Sequence, residues 1–230
     1  MSVKPLVMIS SMATKEVLRE LLGQYQASSA TLVQALSAGG VDVAKRVRGG
    51  EAFDIVVLAR DAMDQLARDG HLVADSCTDV VRSGISVAVR AGAPQPDIAS
   101  EDALRLAVLN ASSLGYSTGP SGIHLLKLFE RWGILEQIRA RIVQPPPGVP
   151  VGGLVASGSV ALGFQQLSEL MHLAGVHVLG PLPAAVQSIT TFSAAVVRGS
   201  AQEEGAHACI AFLASPGTAA AKIRHGMEPA

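Results

Sequence analysis

The sequence predicts an α/β protein built as two successive βα series, each a mixed, mostly parallel sheet flanked by helices. Three observations carry this. Short β-branched and apolar runs alternate with amphipathic helical patterns along almost the whole chain. Most of those runs are nearly continuously apolar, the mark of parallel strands covered on both faces. Two stretches, Val80–Val89 and Ile189–Val197, are longer and more β-rich, and they interrupt the alternation.

Taken in order, Leu6–Ser10 is a first strand, followed by a helix near Ala13–Gln26 and a strand near Thr31–Leu36. A helix near Val41–Arg48 leads to the strand Asp54–Ala59 and the helix Ala62–Arg68, with Gly39-Gly40 and Gly49-Gly50 as punctuation. Val80–Val89 then leaves the first sheet. A second series begins with helix Glu101–Asn110, strand Leu114–Ser117 and helix Gly122–Trp132. It continues through strand Ala140–Gln144, helix Val151–Ala156 and strands Val160–Gln165 and Val176–Leu179. Ile189–Val197 mirrors Val80–Val89 and returns the chain, and helices Gln202–Leu213 and Thr218–His225 close the first lobe. The predicted lobes are 1–82 plus 189–230, and 83–188, with the two β-rich crossings as a hinge and a ligand cleft between. The loop 145–150, with four prolines, is a stiff connection on the hinge side or the surface.

Composition excludes several function classes. A formal net charge of −1 and 3% aromatic residues offer neither a basic surface nor stacking platforms for nucleic acid. Cys77 and Cys209 are far apart and without CxxC partners, which fits free thiols and rules out a disulfide framework. The six histidines stand singly, so neither a metal site nor a cofactor is expected. No segment approaches the roughly 20 apolar residues of a membrane helix. With no leader-like stretch after Met1, the expectation is a cytoplasmic protein if the gene starts there, and a periplasmic one if a signal peptide was removed.

The chemistry concentrates at two turns of small residues. Tyr116-Ser117-Thr118-Gly119-Pro120-Ser121-Gly122 joins an apolar strand to an amphipathic helix, and Ser10-Ser11-Met12-Ala13-Thr14 has a similar design. Such a helix start gathers unpaired backbone N–H groups, hydroxyls and the positive end of a helix dipole, which together suit an anion. Their plain alternative is an ordinary capped helix. A β-branched residue at Gly119 is expected to crowd its turn and weaken binding.

These motifs, with Gly49-Gly50-Glu51-Ala52-Phe53-Asp54, the stretch Ala156–Phe164 and the ending His225-Gly226-Met227-Glu228-Pro229, resemble the type 2 periplasmic-binding-protein superfamily. The resemblance is to its molybdate-binding-protein-like branch and covers essentially the whole chain. The runs Gly163–Leu170 and Gly180-Pro181-Leu182-Pro183 look like a subgroup that contains aconitate isomerase. The resemblance implies a small anionic ligand held by Ser10, Ser11, Met12, Thr118, Gly119, Pro120, Ser121 and Gly122. Where molybdate binders continue with a tyrosine and an aspartate, this chain has Gln165, Gln166 and Glu169. It also carries Arg60 where they have a small hydroxyl residue. A guanidinium matches a carboxylate, so Arg60, Gln165 and Gln166 complete the expected binding set and favour a di- or tricarboxylate over molybdate. The plain reading of Arg60 is a surface pair with Asp61 or Asp64. The alternative function is a cofactor-independent isomerase making a 1,3-proton shift, with Glu169 or His124 as the base. No nucleic acid or membrane partner is expected, and a transporter permease only for an exported form.

Overall fold

The structure is a computed structural model and describes residues 4–146 and 148–230. Residues 1–3, and Pro147 within the proline-rich loop, lie outside them.

Apolar runs bounded by glycine and polar turns give β1 (Leu6–Ser11), α1 (Lys15–Ser28), β2 (Val33–Ala38) and α2 (Gly40–Arg48), then β3 (Ile55–Ala59), α3 (Arg60–Arg68) and the long β4 (Thr78–Arg90). There follow α4 (Glu101–Asn110), β5 (Leu114–Tyr116), α5 (Pro120–Arg131), α6 (Leu135–Ile138), β6 (Ile142–Val143), α7 (Val151–Ser157) and β7 (Leu162–Gln166). The chain ends with α8 (Leu167–Leu170), β8 (Val176–Pro181), β9 (Ile189–Val196), α9 (Glu203–Ala214), α10 (Ala219–Arg224) and β10 (Glu228–Pro229). It divides into two compact units, one running to Arg82 and resuming at Thr191–Ala230, the other Ser83–Thr190.

In the first unit β1 lies between β2 and β3, parallel to both, and β9 runs antiparallel to β3. Alternate side chains feed two cores, as a strand buried on both faces requires. Met8, Ile55 and Val57 pack with Val17, Leu18 and Leu21 of α1 and Ile210 and Leu213 of α9. Ile9, Val56 and Leu58 pack with Val43 and Val47 of α2 and Met63 and Leu66 of α3. The carboxyl ends of β1, β2 and β3 therefore share one edge of the sheet, and the start of β9 lies beside them through the pair Ala59↔Phe192.

In the second unit β5 sits between β6 and β7, parallel to both, while β4 is antiparallel to β7 and β8. Its main core joins Ile85 and Val87, Leu114, Leu162 and Phe164 with Leu104 and Val108 of α4 and Leu125 and Phe129 of α5. Ser100 caps α4, its hydroxyl accepting the Ala103 N–H at 3.1 Å. Helix α7 packs so closely on the sheet that a Cβ at Gly163 would come within 2.3 Å of Val155 Cγ2.

Several elements differ from expectation. The strand expected over Ala140–Gln144 is only two residues long, because Arg139–Arg141 form a 3-10 turn in which Arg141 donates to the Leu109 and Ala111 carbonyls. Helix α6 and strand β10 have no counterpart in the sequence reading. The closing helix begins as a 3-10 turn at Pro216–Thr218.

Candidate functional site at the strand ends

In the first unit, the end of β1 holds two buried serines. The Ser10 hydroxyl lies 2.9 Å from that of Ser37, its register partner on β2. Ser11 is 6% exposed, and its hydroxyl has no hydrogen-bond partner among the described residues. Met12, half-buried, opens a 3-10 turn (Met12–Thr14) that separates the serines from α1. The serines therefore precede a tight turn rather than capping an α-helix directly.

Arg60, the first residue of α3, is exposed at the end of β3. Its Nε donates to Asp64 Oδ1 at 2.8 Å and its Nη1 to Asp79 Oδ1 at 2.9 Å. Asp79 Oδ1 also accepts the Ser193 hydroxyl at 2.6 Å. Two carboxylates thus face one guanidinium. Asp64 is one of the two partners expected from sequence, and Asp79 takes the place of Asp61.

In the second unit, the turn before α5 is organised by Ser117. Its hydroxyl accepts the Gly119 N–H at 3.3 Å and lies 3.2 Å from the Ser121 hydroxyl. Gly119 is the N-cap in extended conformation, Pro120 occupies the first turn, and Thr118 is half-buried. The crowding expected at Gly119 occurs instead at Gly122. A Cβ at Gly119 would meet nothing nearer than Ser117 Oγ at 3.5 Å, whereas one at Gly122 would fall 1.7 Å from the Ser117 carbonyl oxygen.

Both glutamine amides are engaged within the unit. Gln165 Oε1 accepts the Gly152 N–H at 3.1 Å, capping the first turn of α7, and its Nε2 donates to Glu169 Oε1 at 2.7 Å. With its amide turned to satisfy its neighbours, Gln166 donates to the Ser83 and Gly84 carbonyls and accepts from the Thr190 hydroxyl at 3.1 Å. His124 Nε2 lies 2.9 Å from the Val186 carbonyl, so that nitrogen carries a proton and donates it.

With this geometry in view, the comparisons decide the family. The family described as bacterial extracellular solute-binding protein matches residues 6–228. The chain belongs to this family. Among this solute-binding protein's relatives, an aconitate isomerase from Pseudomonas sp is 34% identical over 99% of this chain and 88% of its own length. The molybdate-binding protein of Azotobacter vinelandii superposes with a TM-score of 0.81 at 20% identity, covering 96% of this chain and 98% of that one. The PBP AgtB of A. tumefaciens R10, solved with agropinic acid, gives 0.74 at 12% identity over 99% of this chain and 84% of that one. The fold is thus that of the type 2 periplasmic binding proteins.

The electrostatics of this solute-binding protein set one group apart. Burial pushes the Glu169 carboxyl up to about 7, against the opposing hydrogen bond from Gln165. A group titrating there can both take and return a proton near neutrality. Hydrogen bonds from Ser193 and Arg60 outweigh a partial loss of hydration and hold Asp79 below its usual range, so it stays a carboxylate. Cys77 and Cys209 are free thiols, with burial pushing Cys209 up to about 12. Among the described residues no group of three or more His, Cys, Asp or Glu is placed to hold a metal ion, and no helix is long and apolar enough to cross a membrane.

The sequence reading missed Ser37, Asp79, Ser193 and Gly152. Ser37 could have been found, because β1 and β2 end in register. Asp79 and Gly152 carry no local signal, since each reaches its partner only through the tertiary fold.

Proposed function

We propose that this solute-binding protein binds a small anion, a di- or tricarboxylate, using hydroxyls and backbone N–H groups at its strand ends. The observation that carries this reading is the Ser11 hydroxyl, buried at the carboxyl end of β1 with no partner among the described residues. A buried hydroxyl without a partner is unfavourable by about 1–3 kcal/mol, a penalty relieved when a ligand oxygen accepts its proton. Carboxylate is favoured over molybdate by the 34% identical aconitate isomerase; Arg60, already countered by Asp64 and Asp79, adds little. A thermal-shift screen tests it with citrate, cis- and trans-aconitate, molybdate, tungstate and sulfate. A ligand at a hundred times its Kd adds about 2.7 kcal/mol. The tricarboxylates should raise Tm by several degrees and the inorganic anions should not. A shift with molybdate alone would overturn the carboxylate assignment.

A second reading, a 1,3-proton shift on the bound unsaturated acid, is favoured by Glu169. A carboxyl poised at about 7 beside a strand end suits a base that removes an allylic proton and redelivers it. Hydroxyl and N–H donors would stabilise the charge developing on the carboxylate arm. Proton NMR of cis-aconitate in deuterated water reads this directly, as trans product and deuterium uptake. Glu169→Gln should leave binding intact while lowering turnover by roughly 100-fold or more. Unchanged turnover in that variant would remove Glu169 from the reaction.

A further inference from the structure

The second unit holds a cavity of about 350 Å³ beside the α5 turn, bordered by Thr118 and Gly122 of that turn. One wall is aliphatic, formed by Ile123 and Leu126 of α5, Leu135 of α6 and Ile142 of β6. Ile123 is 55% exposed and Leu126 38%, unusually high for branched side chains on a helix that otherwise buries its apolar face. Four polar side chains, Tyr116, Thr118, Arg139 and Gln144, complete the lining. Tyr116 is 5% exposed, its ring held edge-on by Phe129 with centroids 6.2 Å apart, and its hydroxyl has no hydrogen-bond partner among the described residues. Arg139 stands on the 3-10 turn before β6 and feels the phenol electrostatically. Its guanidinium pairs with Glu136, but the two side chains are 63% and 82% exposed. An exposed pair of that kind contributes little and is readily exchanged for another carboxylate.

We propose that this cavity is a binding site for a monocarboxylate with a compact apolar body, the body against the four aliphatic side chains and the carboxylate between the Tyr116 hydroxyl and Arg139. An apolar wall with a few convergent polar groups is the usual make-up of a small-molecule site, and the volume lies at the lower end of the range for such sites. The phenol donates one hydrogen bond to the carboxylate, and the guanidinium supplies the charge. Thr118 and Gly122 of the α5 turn also border the cavity, so the proposed site adjoins that turn and is distinguished from it by Tyr116 and Arg139.

The probe is phenylacetate, with neutral phenylacetamide as its isostere, titrated into protein carrying labelled isoleucine and leucine methyls. Shifts centred on Ile123, Leu126, Leu135 and Ile142 are expected, with phenylacetamide binding at least about tenfold more weakly because the charge-assisted contacts are lost. Tyr116→Phe, which removes only the hydroxyl, and Arg139→Gln on the surface should each weaken phenylacetate by about tenfold. Absence of shifts at these four methyls, or phenylacetate binding by both variants as tight as by the unaltered protein, overturns the site. Displacement of phenylacetate by cis-aconitate would merge it with the anion site and overturn its independence. A cis-aconitate thermal shift unaltered by Arg139→Gln supports it.

Discussion

Gly122→Ala separates the anion turn from an ordinary capped helix start, and its effect can be worked from the backbone. An added Cβ would stand 1.7 Å from the Ser117 carbonyl oxygen and 2.9 Å from its carbonyl carbon, whereas real Cβ atoms essentially never come within 3.0 Å of another heavy atom. The Ser117 peptide or the start of α5 must therefore retreat by about 1.3 Å (3.0 less 1.7), with no flexible side chain to absorb the movement. Overpacking of this kind is destabilising by about 1–3 kcal/mol, and a clash with backbone belongs at the upper end. The same shift would pull Ser117 away from the Gly119 N–H and the Ser121 hydroxyl. Gly119→Ala is the control, since its φ of −81° suits any residue and the space is open. That variant should be neutral, or stabilising by up to about 1 kcal/mol through the unfolded chain. Urea denaturation of both variants, with citrate binding by calorimetry, reads the contrast. Equal stability and equal affinity in the two would refute the turn geometry.

Ser11→Ala removes a buried hydroxyl that has no partner, so the ligand-free protein should gain up to about 1 kcal/mol in urea denaturation while losing much of its tricarboxylate-induced thermal shift. A loss of ligand-free stability would mean that the hydroxyl is already satisfied. Arg60→Ala should change stability by less than about 1 kcal/mol, because its ion pairs with Asp64 and Asp79 are exposed; a loss above 2 kcal/mol by the same assay would mean the cluster is structural. Glu169 contributes a pH dependence of definite sign. Its folded-state value, about 7, lies above the ordinary 4.5, so the folded protein binds more protons between those values and stability falls as pH rises through them. The fall is at most about 3 kcal/mol and should vanish in Glu169→Gln, checked by urea denaturation from pH 5 to 8.

Much of the fold was legible because periodicity reports which faces a strand buries. Met8 and Ile9 point to opposite cores, and Ile55–Leu58 alternate between the same two, which the continuous apolar runs encode directly. The short elements were harder. Arg139–Arg141 sit in a β-rich context, yet the Arg141 guanidinium is drawn to two carbonyls across the unit, and that contact shortens β6. At the candidate site residue type was legible and commitment was not. Gln165 looks like a free amide until α7 brings the Gly152 N–H to it, and Arg60 shows only its nearby aspartates in sequence until β4 delivers Asp79. Of the two glycines around Pro120, the constrained one depends on the path of the Ser117 carbonyl, which no local pattern records.

The binding and isomerase readings make different demands on Glu169, and its environment bears on both. A protein that only holds a polyanion does best with a neutral group there, since an ionised carboxylate repels the ligand. A proton shift needs the ionised form at the start, to accept a proton, and the neutral form midway, to return it. Burial drives Glu169 toward the neutral state and the Gln165 hydrogen bond draws it back toward the ionised one. Gln165 is in turn fixed by the Gly152 N–H of α7, so it is held in place as a donor to the carboxylate. A proton carrier is served by both influences in balance, so Glu169→Gln, which keeps a hydrogen-bonding group but cannot carry a proton, separates the proposed proton shift from binding alone.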